Sequence, residues 1–147
     1  VSWTDCDSFC KKLSSKLGVT VSLPTEAQWE YACRAGTTGA YAGDLDEMGW
    51  YWDNSGDEIH PVGQKKPNAW GLYDMHGNVW EWCKDWYSNS YVSNDKNNPV
   101  GHSSGSFRVF RGGSWFNYAS YCRVASRGYH SPGNRYYNLG FRVVLLP

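Results

Sequence analysis

Between Arg111 and Arg142 the chain reads RGGSWFNYASYCRVASRGYHSPGNRYYNLGFR. Phe116, Tyr118, Tyr121, Tyr129, His130, Tyr136 and Tyr137 place seven rings in this segment, and Gly128, Ser131, Pro132, Gly133 and Asn134 interrupt any helix or strand period. Rings interleaved with Ser, Gly and Asn suit a displayed contact surface. Tyr supplies rigid area with little rotamer entropy to lose, and its hydroxyl adapts to many partners. The competing reading is that these rings fill the core beneath irregular loops with their hydroxyls tied down.

With 147 residues, the chain is long enough for one domain with a real core. Its 14 basic and 14 acidic residues cancel, and Lys11-Lys12 and Lys65-Lys66 are the longest basic clusters. No stripe of charge invites a nucleic-acid backbone, so nucleic acid is not an expected partner. Nine Trp and eleven Tyr exceed ordinary usage, so part of the aromatic content must be core. No apolar run reaches membrane-spanning length. The opening VSWTDCDSFC reads as the middle of a protein rather than a signal peptide. Cys6, Cys10, Cys33, Cys83 and Cys122 are too sparse for a disulfide scaffold and lack metal-ligand spacing, so buried free thiols are expected.

Trp3, Cys6, Phe9, Cys10, Leu13 and Leu17 recur at helical spacing, with Gly18 as the stop. Thr25 followed by Gln28 forms a capping box for a second helix. It runs to about Arg34 and ends at Gly36, with Ala27, Tyr31 and Trp29 expected inward. Beyond Gly36 the periodicity disappears. Glycines break the chain every few residues as far as Asn78, leaving room for short strands near Tyr51-Trp52 and Leu72-Tyr73. Residues 44–58 are acidic and fold poorly alone. Arg108–Phe110 and Phe141–Leu146 are the best strand candidates. If they pair, they hold the aromatic segment at its base and project it as a loop.

Arg111, Arg123, Arg127, Arg135 and Arg142 line the C-terminal third. An anion site is one reading. The other is that they brace loops by bonding backbone carbonyls and partners such as Asp74 or Asp85. Trp80, Trp82 and Trp86 read as core. No acid–base pair, catalytic triad or phosphate-cradling loop can be assembled.

LPTEAQWEYACRAG (23–36), PNAWGLYDMHGNVWEWCKDWY (67–87), RVFRGGSW (108–115) and NLGFRVV (138–144) together resemble the formylglycine-generating, sulfatase-modifying domain family. The resemblance implies an α+β, C-type-lectin-like fold across residues 1–147, with two early helices, short strands and extensive irregular loops. Domains of this kind carry further N-terminal strands before the first helix.

Catalytic members of the family oxidise a substrate cysteine with copper and two closely spaced cysteines after the GGS motif. Here Asn117 follows Ser114 by three residues, and only Cys122 lies beyond it. Another branch uses an iron site whose ligands come from a histidine-rich domain. His60, His76, His102 and His130 are scattered here. A metal-dependent oxidoreductase acting on a thiol substrate is therefore the alternative reading.

A third branch fits better, because the chain is similar to the variable proteins of diversity-generating retroelements, treponemal ones in particular. There, adenine mutagenesis turns AAC or AAT into codons that cannot encode Trp, Met, Gln, Lys or Glu. None of those five occurs between Phe116 and Tyr137, although the rest of the chain uses all of them. The resemblance implies a non-catalytic protein whose diversified, ligand-binding positions are Phe116, Tyr118, Ser120, Tyr121, Val124, Ser126, Gly128, Tyr129, His130, Tyr136 and Tyr137. Arg111, Gly112, Gly113, Trp115, Cys122, Arg123, Arg127, Pro132, Arg135 and Gly140 would be the fixed frame. It also implies a monomer at a bacterial surface or secreted, anchored as a lipoprotein through a segment absent from this sequence, with a protein or cell-surface ligand. No cofactor is required. Relatives hold calcium near GNVWEW, which makes Asn78 and Glu81 candidate ligands of a structural calcium; Glu81 bonded into the scaffold without metal is the competing reading.

Overall fold

The computed structural model describes residues 1–90 and 97–146. Helix α1, Trp3–Leu17, begins where Ser2 and Asp5 form a reciprocal capping box, and stops at Gly18, whose φ of 71° is left-handed. It buries Cys6 and Cys10 against Val21, Leu23, Trp80, Trp82 and Leu139. Phe9 lies at the edge of that stripe, exposed but in edge contact with Phe141. Strand β1, Thr20–Ser22, follows.

Helix α2, Glu26–Arg34, starts at the Thr25–Gln28 box, as the sequence predicts. Its inward face differs from expectation: Glu26, Trp29 and Cys33 are buried, Ala27 is half-buried and Tyr31 is exposed. Steps of three and four residues put 26, 29 and 33 on one stripe, and Tyr31 falls some 200° around the helix from Trp29. Tyr31 packs edge-on against exposed Trp70 instead.

A short helix α3, Leu45–Met48, leads into β2, Gly49–Trp50, which pairs in parallel with β3, His76–Gly77. The strands expected at Tyr51-Trp52 and Leu72-Tyr73 therefore do not form there. Close approach explains the glycines at this ladder: a side chain on Gly77, whose φ is 81°, would meet the Trp50 carbonyl.

The main sheet contains β4 (Trp80–Trp86), β5 (Arg108–Arg111), β6 (Arg127–His130) and β7 (Leu139–Phe141) in the order β6-β5-β4-β7. Strand β8, Val144–Leu146, leaves this sheet and pairs antiparallel with β1. The expected continuous strand 141–146 is thus split in two. Nor do the bracketing strands pair with each other. β5 runs antiparallel to β4 on one side, and β7 runs parallel to β4 on the other. The aromatic segment contributes β6 to the sheet edge beyond β5, so it is partly scaffold.

Two cores flank β4. Trp82 joins the α1 cluster, while Cys83 faces Trp29, Cys33, Met75, Val109 and Val124. Both faces of β4 are buried along Trp80–Cys83, so this strand shows no polar alternation.

Arginines brace this arrangement through carboxylates other than Asp74 and Asp85. Arg111, fully buried, pairs with Glu30 and contacts Glu26, and its Nη1 donates to Ser126 O at 3.0 Å. Arg127 forks onto both Glu26 oxygens at 2.6 and 2.8 Å. Arg135 forks onto Asp5 at 2.8 and 2.9 Å and ties the C-terminal segment to α1.

Candidate functional site

The base of the aromatic segment is laced to the β2–β3 ladder. Gly77 N donates to Gly112 O at 2.7 Å, Trp115 N to Asn78 O at 2.8 Å, and Asn78 N to Trp50 O at 2.7 Å. Gly113, with φ 77°, packs so closely on Cys122 that a side chain there would strike its Sγ. Buried His76 accepts from Ala42 N at Nε2, so its Nδ1 carries the proton and donates to Cys122 O at 2.8 Å. Burial holds the His76 pKa below its ordinary value, favouring this neutral form. Tyr41 Oη donates to Ala119 O and Val124 N donates to Ala40 O, each at 2.8 Å, fastening the 3₁₀ turn Ala119–Cys122.

On this base stand the rings. Phe116, Tyr118, Tyr121, Tyr129, Tyr136 and Tyr137 are all exposed, Tyr118 and Tyr137 by 63% and 65%. They fall into groups. Phe116 meets Trp115 edge-on at 5.3 Å, and Tyr137 lies 5.9 Å from Trp115. Trp52, from a loop outside the segment, meets Phe116 edge-on at 5.3 Å and lies 6.0 Å from Tyr118. Trp52 N donates to Asn117 O at 2.9 Å and Ser55 Oγ to Trp115 O at 3.0 Å, so the two loops form one surface. The sequence reading missed Trp52; a Trp among Asp, Asn, Ser and Gly was the available signal.

Tyr129 belongs to a second group on the sheet edge, stacked on Tyr87 at 3.9 Å with Phe107 at 5.4 Å. His130 and Tyr136 form a third. His130 Nδ1 accepts from Ser131 N and Asn134 Nδ2, so neutral His130 carries its proton on Nε2 and donates to Tyr136 Oη at 2.6 Å.

The remaining predicted positions are structural to different degrees. Val124 is fully buried among Trp29, Cys33, Met75, Cys83 and Val109, which removes it from any displayed face. Gly128 lies under Phe110: a Cβ added to it would sit only 1.9 Å from the ring, so a side chain there forces the ring to move. Ser126 Oγ donates to Ser120 O at 2.9 Å, a bond that shapes the loop from within.

Asn78 and Glu81 do not fit a calcium site as drawn from sequence. Asn78 Oδ1 accepts from His60 N and its Nδ2 donates to His60 O. Both Glu81 oxygens are taken by Arg142, and one also accepts from Trp29 Nε1 at 2.7 Å. A cation here would have to displace these bonds.

Cys122, the one thiol beyond the GGS motif, is buried, and desolvation pushes its pKa up to about 12. All five thiols are free and buried. A cleft of 490 Å³ opens elsewhere, beside α2, but Glu26 and Arg127 in its wall neutralise each other.

Comparison with known proteins agrees with this geometry. The formylglycine-generating enzyme of Streptomyces coelicolor is 39% identical across 97% of this chain, which covers 50% of that enzyme. The Mus musculus enzyme is 35% identical across 97% of the chain, which covers 42% of it. The chain thus spans half or less of the length of these two relatives. Among solved structures, Treponema denticola variable protein 1 superposes with a TM-score of 0.94 and 36% identity, over 100% of this chain and 70% of that one. PvdO from Pseudomonas aeruginosa gives 0.89 and 28%, over 99% and 60%. The α+β arrangement is the C-type-lectin-like fold of the formylglycine-generating type. The family model for the sulfatase-modifying factor enzyme 1-like domain matches residues 1–146, and the chain belongs to that family.

Proposed function

We infer that this chain is a non-catalytic binding domain that displays a diversified aromatic face to a protein or cell-surface ligand. The observation that carries the reading is the exposed group of Phe116, Tyr118 and Tyr137 around Trp115 and Trp52, held on a base of buried hydrogen bonds. Exposed rings on a rigid base lose little entropy on binding, which is how aromatic anchors gain affinity. Likeness to a treponemal variable protein supports the same reading. Diversification fits the placement too: the exposed ring positions can change without disturbing the core, whereas Val124 and Gly128 cannot. The working set narrows to Phe116, Tyr118, Ser120, Tyr121, Tyr129, His130, Tyr136 and Tyr137. A bacterial surface or secreted location, with lipoprotein anchoring outside this sequence, goes with this proposal.

The oxidoreductase alternative draws on the identity to formylglycine-generating enzymes. Against it stand the full burial of Cys122 and the lack of a second cysteine after the GGS motif to pair with it. The encoding locus provides the test. A nearby template repeat matching the codons for 116–137 except at adenines is the expected result. Copper-dependent oxidation of a cysteine peptide by the purified protein, lost in Cys122→Ser, would overturn the binding reading.

A further inference from the structure

The stretch 44–58 buries Leu45, Met48 and Tyr51 in the core, but its carboxylates serve other ends. It carries Asp44, Asp46, Glu47, Asp53, Asp57 and Glu58 and no Lys or Arg. Its first half is engaged. Asp44 caps α3, Asp46 accepts from Tyr51 Oη at 2.5 Å, and Glu47 pairs with Lys66 at 2.8 Å. Lys65 donates to Asp46 O and sits over Trp50. The second half is different. Asp53, Asp57 and Glu58 are exposed, and their side chains make neither an ion pair nor a hydrogen bond among the described residues. They lie on the loop that carries Trp52 and is tied by Trp52 N and Ser55 Oγ to Asn117 and Trp115.

Charge within the aromatic segment does not offset them. Arg127 and Arg135 are paired with Glu26 and Asp5. Arg123 bonds back to Ser120 O and lines a separate hollow with Arg34 and Thr38. The chain's zero net charge conceals a local excess of carboxylate on the loop that carries Trp52.

We propose that Trp52 and the carboxylates Asp53, Asp57 and Glu58 complete the binding face, and that its occupant is a basic, Lys- or Arg-bearing segment of a protein. This rests on the binding function proposed above and names its partner class. Ring faces attract ammonium and guanidinium groups, and flanking carboxylates steer and pair with the same cations. The same carboxylates repel phosphate-rich surfaces, which disfavours anionic membranes and nucleic acid. Trp52 lies outside the diversified segment, so it supplies a constant anchor beside changing neighbours.

Selection of a random peptide library on the immobilised domain tests this. Bound peptides should be enriched in Lys and Arg. Their binding should weaken by about tenfold or more in Trp52→Ala and in the triple variant Asp53→Asn, Asp57→Asn, Glu58→Gln, and should fall as salt is raised. Far-ultraviolet circular dichroism and an unchanged unfolding midpoint establish that each variant folds. Peptides without basic enrichment, or full binding by the triple variant, overturn the proposal; if Tyr118→Ala abolishes that binding, the aromatic face itself survives. Retention of no peptide, or binding indifferent to both Tyr118→Ala and Trp52→Ala, overturns the binding function with it.

Discussion

Arg142 closes a fork around Glu81, with Nε 2.6 Å from one carboxylate oxygen and Nη2 2.7 Å from the other. The same guanidinium donates to Tyr73 O at 2.9 Å, and Glu81 accepts from Trp29. One ion pair therefore joins β4, α2, the loop at Tyr73 and the chain just after β7. Burial works against the Arg142 charge, yet the Glu81 carboxylate overrides it and holds the arginine pKa above its ordinary value. Arg142→Met leaves a mostly buried carboxylate without its partner and should cost about 3 kcal/mol in urea unfolding. Adding Glu81→Gln should cost less than the sum of the two single changes, since it removes the stranded charge. Additive losses would show that the fork contributes no coupling.

Within the aromatic segment, display and support separate by position. Tyr118→Ala and Tyr137→Ala remove exposed rings and should shift stability by no more than about 0.5 kcal/mol. Val124→Ala truncates a fully buried side chain and should cost about 2 kcal/mol. Unfolding midpoints of the three variants measure the contrast. Equal losses at all three would return the rings to the core.

Gly128 gives a sharper test of which positions tolerate change. Its cross-strand partner Phe110 covers the space a side chain needs, with Phe110 itself packed edge-on against Trp80 and Trp82. Gly128→Ala should destabilise by about 1–3 kcal/mol through overpacking. Phe110→Leu in the same chain should recover part of that loss, giving a favourable coupling in a double-mutant cycle. Without such coupling, the clash with Phe110 is not the cause.

Both long helices were legible because capping and apolar spacing are local signals, and Thr25 and Gly18 act where the sequence places them. The sheet was hidden because its pairings join distant residues. Strand β4 has two buried faces, so WEWC lacks alternation, and β6 reads as loop because Gly128 and His130 interrupt its apolar pattern. Ring exposure followed from composition, but which small positions were structural did not: only the fold reveals Phe110 over Gly128 or the core around Val124. For Trp52 the polar surroundings flag an exposed ring, but its place beside Phe116 and Tyr118 depends on a hydrogen bond to Asn117, distant in sequence, and so was hidden for the same reason.

Asp85 makes stability depend on pH in a direction opposite to most carboxylates. It is buried, and desolvation raises its pKa from 3.8 to about 6, although its Oδ2 accepts from Glu26 N at 2.7 Å. The folded state thus binds the Asp85 proton more tightly than the unfolded chain. The resulting penalty is absent below the unfolded value near 3.8, grows as pH rises, and is complete above about 6. Asp5 works the other way: Arg135 and Ser2 hold its pKa below the ordinary range, so its contribution disappears only in more acid solution. Asp85→Asn retains an oxygen to accept from Glu26 N and removes the titration. Relative to the unaltered protein, this variant should gain up to about 3 kcal/mol of stability between pH 4 and pH 7. Urea unfolding of both proteins across that range measures the difference. A difference that stays constant with pH would mean that Asp85 titrates alike in the folded and unfolded chain.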